Sequence, residues 1–429
     1  MDKPKDFGFE TRMLHAGQVP DPHVGARAVP IYQTTSYVFE SADQAAHLFE
    51  LKQYGNIYSR ISNPTTAVFE ERMASLEGGT GAVALASGMA AQFATVMTLC
   101  QPGDEIVASS HLYGGSLTML THTLQKLSVK ATFVDPDDLD AWAAATSART
   151  RLYFVETIGN PVGSIPDFQP LGELAKSRRV PLVVDNTFGT PYLFRPMEWG
   201  ADIVVHSATK FIGGHGTSIG GVVVDSGDFD FSRFPAVADA SASYHGLQFA
   251  DTFGHYGFLM KLRAETLRDT GACISPTNAF MLLQGVETLS VRMDRHVANA
   301  QAVAEFLESH QKVGRVHYAG LSSHPHHDRA RKYLPKGPGA VMAFELQPSG
   351  GDVREAGKKF IESLNIFSHL ANVGDAKSLV IHPGSTTHQQ LSDEELVACG
   401  ISAGTVRLSV GLETTDDLLW DLDQALAGI

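Results

Sequence analysis

The stretch Asp202-Ile-Val-Val-His-Ser-Ala-Thr-Lys-Phe-Ile-Gly-Gly-His-Gly216 decides both the fold and the chemistry of this chain. Ile203 to Val205 reads as a buried strand running into a polar turn, a single lysine and then glycines. Lys210 follows the hydroxyl pair Ser207 and Thr209 at the end of that apolar strand. Such a place suits a lysine that holds a carbonyl cofactor as a Schiff base, with the cofactor's phosphate ligated beside it. A surface lysine after a strand has the same local sequence, so the rest of the chain must separate the two readings.

Working outward, strand and helix patterns alternate. Ile106 to Ser109, Ala131 to Val134, Leu152 to Val155, Leu182 to Val184 and Ile203 to Val205 read as short apolar strands. Helical stretches lie between them, such as Ser116 to Lys126 and Leu171 to Arg178. Strands apolar on both faces, alternating with helices, predict an α/β fold with a mostly parallel sheet covered by helices. Gly220 to Asp225 closes the sheet as a returning strand. Ligands in such sheets sit beyond the carboxyl ends of the strands. Asp185-Asn186-Thr187 and His206 to Lys210 therefore converge in one crevice.

Upstream, Ala82 to Leu85 is strand-like and leads through Ser87-Gly88-Met89 into an apolar helix ending at Leu99. A strand, a Ser-Gly turn and a helix start form a nest of backbone N–H groups for a phosphate. Tyr113-Gly114-Gly115 offers an aromatic that can stack on a ring. Tyr58-Ser-Arg60 precedes a helix from Thr66 to Leu76; Arg60 suits an anion and equally suits a surface carboxylate. Residues 1 to about 60 contain Pro20, Pro22 and Pro30 and an isolated β-prone run from Ile31 to Phe39. They read as an arm that gains stability by packing on another body, such as a neighbouring subunit.

Downstream, residues 226 to 275 combine aromatics with Asp, Ser and Gly, a pattern of a packed interface or a lid. A long helix is marked by Val286, Leu289, Met293, Val297, Ala300, Ala304 and Leu307 at steps of three and four. It bridges to a smaller C-terminal α/β domain with strands at Val316 to Tyr318, Val341 to Leu346 and Val406 to Val410. Helices are predicted there at Asp352 to Leu364 and Asp416 to Ala427.

Composition sets the class. The 429 residues suffice for two or three domains and a large core. A formal charge of −14 argues against a nucleic-acid or anionic-membrane surface. The 3 cysteines, Cys100, Cys273 and Cys399, are scattered and lack a CxxC, as in a reducing compartment. No apolar run reaches membrane-spanning length, and the amino terminus leads into no signal-peptide core. A cytoplasmic enzyme is the expectation.

Asp185 lies 25 residues before Lys210. A carboxylate facing a pyridine nitrogen keeps it protonated, so that the ring drains electrons from a carbanion attached through the lysine. Lys210 serves best with its pKa lowered by burial and nearby positive charge, since only the neutral amine forms imines or accepts protons. The ordered set of residues is similar to the fold-type I pyridoxal-phosphate (PLP) enzymes of cysteine and methionine metabolism. The matching residues are Tyr58-Ser-Arg60 with Asn63-Pro-Thr65, Ala86 to Met89, Tyr113 to Gly115, Asn160-Pro161, Val184 to Thr187 and Asp202 to Gly216. Ser378-Leu379, His382-Pro383, Thr387-His388 and Arg407 to Glu413 continue the match towards the C-terminus.

The resemblance implies an aspartate-aminotransferase-like PLP-dependent transferase fold: an arm over 1–62, a PLP-binding domain over 63–285 and a C-terminal domain over 286–429. It implies that Lys210 forms the imine and shuttles protons, that Asp185 pairs with the pyridine nitrogen and that Tyr113 stacks on the ring, these three being the catalytic set. Gly88, Met89, Ser207 and Thr209 then grip the phosphate, joined by Tyr58 and Arg60 from a neighbouring subunit. Arg407 clamps the substrate α-carboxylate with Ser378 beside it, and Asn160 lies near the cofactor's phenolic oxygen or that carboxylate. The shared site makes a dimer the minimal active unit and implies a homotetramer.

Within the family, Glu156-Thr-Ile-Gly-Asn160, Leu267 to Pro276 and Leu370 to Val380 resemble the O-acetylhomoserine sulfhydrylases. Gly115 stands where methionine γ-lyases carry a reactive cysteine. The implied reaction is γ-replacement of acetate on O-acetylhomoserine by sulfide or a thiol. Cystathionine γ-synthase, O-succinylhomoserine sulfhydrylase and methionine γ-lyase remain alternatives within the family. A Rossmann oxidoreductase is disfavoured because the run Gly213 to Gly221 lacks G-x-G-x-x-G spacing. A metal site at Ser323-His-Pro-His-His-Asp328 is disfavoured because the loop contains proline and lacks helical ligand spacing.

Overall fold

A computed structural model describes residues 6–160, 162–348, 350–386 and 402–429. Pro161, Thr387, His388 and Cys399, which entered the sequence reading, lie outside the described residues.

The larger sheet has seven strands: β1 (Gly81–Leu85), β2 (Glu105–Ser109), β3 (Lys130–Val134), β4 (Thr150–Glu156), β5 (Leu182–Asp185), β6 (Ile203–Ser207) and β7 (Gly221–Asp225). Their order is β1-β7-β6-β5-β4-β2-β3. β6, β5, β4, β2 and β3 pair in parallel, and β7 runs antiparallel between β1 and β6. Sequence alternation explains the double cover. Val204 and Val184 point into one apolar core, while Ile203, Val205 and Val183 point into a second core on the opposite face. Full burial of each such side chain contributes roughly 1.5–3 kcal/mol.

The smaller sheet has five strands: β8 (Val313–His317), β9 (Val341–Leu346), β10 (Ser368–His369), β11 (Leu379–Ile381) and β12 (Thr405–Ser409). Their order is β10-β11-β12-β9-β8, antiparallel except for β10 with β11.

Three local expectations are corrected. The helix read over Ser116 to Lys126 is broken into a helix at Gly114–Thr118, a wide turn at Met119–Thr123 and a tight turn at Leu124–Leu127. Thr118, Thr121 and Thr123 are β-branched and disfavour a regular helix there. The long helix begins at Leu289 and runs to Ser309; Val286 closes the preceding helix, Pro276–Val286. The aromatic stretch after β7, read as a packed interface or a lid, is a chain of short helices that packs on its own chain. Phe231, Phe234, Phe249 and Phe258 are buried in the second core, with Phe231 stacked on Phe258 at 5.4 Å. The β-prone run Ile31 to Phe39 forms only one bridge, Ser36 to Tyr58.

Candidate active site

The carboxyl ends of β4, β5 and β6 open on a cavity of about 380 Å³ that the second sheet closes through Arg407 on β12. Larger depressions exist elsewhere, one of about 800 Å³ between Gln169 and Phe234, but that groove gathers surface charges and contains no lysine buried opposite a carboxylate. The smaller cavity contains both.

Its first wall is the amino end of the helix Gly88–Leu99. Ser87 caps that helix, its hydroxyl accepting from the Ala90 N–H at 3.1 Å. The first amides of a helix lack an acceptor within it, so they face the cavity as donors with the positive end of the dipole behind them. Gly88 is required by close approach: a Cβ there would lie 2.6 Å from Ser207 Cβ. Ser207 and Thr209 line the cavity with this helix end, Ser207 directly against Gly88. Thr209 is braced by Gly220, whose N–H donates to its hydroxyl at 3.1 Å. The donors here are neutral hydroxyls and amides around an anion-sized recess, and this set fits a phosphate ester.

Its floor holds two carboxylates. Asp185 and Glu156 are register partners at the ends of β5 and β4. Asp185 accepts from Gln92 Nε2 at 2.8 Å, from the Thr187 N–H at 3.0 Å and from the Thr187 hydroxyl. Burial pushes its pKa up, and these hydrogen bonds and the nearby His206 hold it back. Glu156 is pushed well above the usual carboxylate range, first by burial and then by the charge of Asp185. Beneath them lies a polar layer with no exposure: Glu77 Oε1 accepts from Asn186 Nδ2 at 2.9 Å and lies 2.6 Å from His206 Nε2.

The roof holds the cations. Lys210 Nζ donates to Asn372 Oδ1, and Arg407 Nη2 donates to the Asn372 carbonyl at 3.4 Å. Burial, then the Arg407 charge, lowers the pKa of Lys210. Gly374 lets this segment approach, because a Cβ on it would lie 2.7 Å from Phe211 N, and its φ is +75°. Tyr113, whose ring is half-exposed, and Asn160 complete the lining with Ile158, Phe188 and Ile219.

Nine of the twelve residues singled out from sequence line this cavity: Gly88, Met89, Tyr113, Asn160, Asp185, Ser207, Thr209, Lys210 and Arg407. Ser378 does not. Its hydroxyl donates to Glu413 at 2.9 Å and accepts from the Gly411 N–H at 2.8 Å, in the interior of the second sheet. Asn372, rather than Ser378, lines the cavity beside Arg407. Tyr58 and Arg60 are also outside the cavity of their own chain: Arg60 lies over the Tyr58 ring at 5.4 Å and donates to the Arg268 carbonyl. Sequence reasoning gave no role to Gln92, Glu156 or Asn372, although the latter two sit within quoted motifs and Gln92 lies one turn beyond Met89. The histidine loop is spent on structure, His324 meeting the Val162 carbonyl at 3.1 Å and His326 accepting from the Ile165 N–H at 2.8 Å.

The model of the family described as Cys/Met metabolism PLP-dependent enzyme matches residues 10–427. An O-acetyl-L-homoserine sulfhydrylase of Leptospira meyeri is 50% identical, over 99% of this chain and 98% of that protein. A homocysteine synthase of Schizosaccharomyces pombe is also 50% identical, over 97% of this chain and 98% of that protein. A crystal structure assigned as an O-acetylhomoserine (thiol)-lyase of Campylobacter jejuni superposes with a TM-score of 0.94 at 40% identity, covering 98% of this chain and 100% of that one. It carries an N'-pyridoxyl-lysine-5'-monophosphate residue.

Proposed function

This chain belongs to the Cys/Met metabolism PLP-dependent enzyme family, and from that premise we propose that it is an O-acetylhomoserine sulfhydrylase. It converts O-acetyl-L-homoserine and sulfide, or a thiol, into L-homocysteine, or methionine, and acetate. The observation that carries this reading is the placement of Lys210 and Asp185 in one cavity with the amino end of the helix Gly88–Leu99.

When bound, PLP supplies an electron sink for negative charge on the substrate carbons. Lys210 is the residue that links to it and afterwards moves the substrate protons. Its lowered pKa keeps more of the amine neutral near pH 7 than an ordinary lysine would have. Asp185 pairs with the ring nitrogen, and Tyr113 stacks on the ring face. Gly88, Met89, Ser207 and Thr209 hold the phosphate. Tyr58 and Arg60 reach the same phosphate from a second copy of the chain, whose arm is residues 1–62. Arg407 holds the α-carboxylate of the substrate, and Asn160 lies near that carboxylate or the cofactor's phenolic oxygen. Lys210 Nζ takes the α-proton, a β-proton follows, acetate leaves from Cγ with the C–O electron pair, hydrosulfide adds there, and the two protons return to Cα and Cβ.

Charge in the cavity favours the acetyl ester. Among the described lining residues the cations are Lys210 and Arg407, and both are committed. A succinyl carboxylate would enter without a partner, at a cost of several kcal/mol. Gly115 favours replacement over the cysteine-dependent lyase reading, since glycine offers no thiol at that position. No helix among the described residues is long and apolar enough to cross a membrane. The reading includes a cytoplasmic homotetramer built from dimers that share active sites, with a PLP-binding domain over 63–285 and a C-terminal domain over 286–429.

The test is product analysis of the purified holoenzyme with O-acetylhomoserine, O-succinylhomoserine, cystathionine and methionine, each with and without sulfide. Homocysteine and acetate from the first substrate, only with sulfide, is the expected outcome. Dominant ketobutyrate and ammonia from methionine would move the assignment to a γ-lyase. Lys210→Ala should bind the cofactor noncovalently, so that borohydride no longer fixes it to the chain.

A further inference from the structure

Tyr113 is held in place by its backbone rather than by packing. Its side chain is 50% exposed. It precedes the five-residue helix Gly114–Thr118, which has no side-chain cap. A ring that is half in water and borders so short a helix keeps its direction only if the chain beneath it is fixed. Two ties do this. The Tyr113 N–H donates to Glu156 Oε1 at 2.6 Å. One turn later, the Ser116 hydroxyl donates to Gln92 Oε1 at 2.9 Å, and Gln92 Nε2 donates onward to Asp185 at 2.8 Å.

Both ties end on the two adjacent strand-end carboxylates, Glu156 and Asp185. They are treated differently. Asp185 receives three hydrogen bonds and Glu156 one. We propose that Glu156 is a positioning residue: it fixes the Tyr113 backbone, and through it the ring that covers the cofactor, by acting as a hydrogen-bond acceptor, a task that does not require its charge. This rests on the reading of Tyr113 as the stacking residue. The neutral acid retains a carbonyl oxygen for the Tyr113 N–H. The strong upward push that burial and Asp185 exert on Glu156 fits that state. Two anions side by side on the floor would also repel each other at low dielectric.

Glu156→Gln and Glu156→Ala test the proposal, because glutamine keeps a neutral acceptor of the same length and alanine removes it. The first readout is hydrogen exchange at the Tyr113 amide in apoprotein, which needs no cofactor. Exchange should quicken by about tenfold or more in the alanine variant, as expected for a freed amide, and stay near wild type in the glutamine variant. The second is the affinity for PLP and the circular dichroism of its visible band. Alanine should weaken both and glutamine should restore both, with apoprotein stability near wild type in each.

An unchanged Tyr113 amide in the alanine variant overturns the proposal. Equal losses in both variants overturn it as well, since they would place the charge rather than the acceptor in the role. A freed amide with unaltered PLP affinity and dichroism overturns the link to the cofactor. If the alanine variant does not fold, the glutamine variant decides alone: a protected amide and native dichroism support the proposal, and their loss ends it. A wild type that binds no PLP fails the assignment of the site, while the apoprotein exchange still reports on the tie itself.

Discussion

Lys210, in the turn after β6, and Arg407, on β12 of the second sheet, meet at Asn372: the lysine donates to its side-chain oxygen and the arginine to its carbonyl. The amine is thereby held beside a fixed guanidinium in a buried place. Burial and that charge both disfavour the protonated amine. A lysine that must form an imine is served by both.

Removing the arginine charge should therefore raise the pKa of Lys210. In Arg407→Met the amine remains protonated to a higher pH, so the neutral fraction at any given pH falls. The rate at which apoprotein recombines with PLP should then reach its half-maximum at a higher pH than in wild type. A midpoint that stays or moves down would show that Arg407 does not act on the lysine. Asn372→Ala separates geometry from charge: it removes a hydrogen bond to a charged group, an effect of about 1.5–3 kcal/mol and so on the order of tenfold to a hundredfold in kcat/KM. The Lys210 midpoint should move far less than in Arg407→Met.

The role proposed for Asp185 is that of an anion, so its protonation on acidification should abolish activity. Its pKa is already raised by burial, with the Gln92 and Thr187 hydrogen bonds opposing. Gln92→Leu removes one opposing bond, so the carboxylate takes up its proton at a higher pH. The acid limb of the kcat/KM profile should move to higher pH, while the alkaline limb stays. Asp185→Asn removes the anion altogether and should lower kcat by about 10²–10³, as for other preorganised charges at reacting centres. An acid limb unmoved in Gln92→Leu would mean that another group sets it.

The stretch around Lys210 was legible because its chemistry is local. An apolar strand, two hydroxyls, a lysine and close-packed glycines are consecutive in the chain, and Asp185 ends the neighbouring strand. Alternating patterns likewise place β1 to β7, since strands buried on both faces are apolar throughout. What was not legible depends on who faces whom. Glu156, Gln92 and Asn372 acquire partners only when β4, the helix after β1 and the segment before β11 converge, and no spacing within the chain encodes that. Ser378 illustrates the converse: its motif matches, yet its hydroxyl is consumed by Glu413 and Gly411. The aromatic density between 226 and 275 has no period, so a core element there resembled an interface.

A second buried acid makes a prediction about stability. Asp225, at the end of β7, is fully buried with Oδ2 lacking a hydrogen-bond partner, and burial pushes its pKa up to about 7. Its value in the unfolded chain is near 3.8. Between these values the folded state holds the proton and the unfolded state has released it, so stability falls as pH rises from about 4 to about 7. At ~1.4 kcal/mol per unit the effect amounts to a few kcal/mol. Asp225→Asn keeps an acceptor for the Gly227 N–H, which lies 3.1 Å from Oδ1. In urea titrations it should match wild type near pH 4 and exceed it by a few kcal/mol near pH 8. A constant difference across that range would show that Asp225 does not hold a proton.

The shared-site reading predicts that two inactive variants rescue each other. Arg60 and Tyr58 do not line the cavity of their own chain, where Arg60 donates to the Arg268 carbonyl. If they complete the site of a second copy, Lys210→Ala and Arg60→Ala damage opposite halves of each shared site. Each variant alone has two damaged sites per dimer. A mixed dimer has one site carrying both lesions and one carrying neither. Random reassociation makes about half of the dimers mixed, each with one intact site of two, so about a quarter of wild-type activity should return on co-refolding. The rescued fraction should also regain a borohydride-reducible link to PLP on the Arg60→Ala chain alone. If Arg60 instead serves its own chain, both sites of a mixed dimer stay damaged and mixing restores nothing.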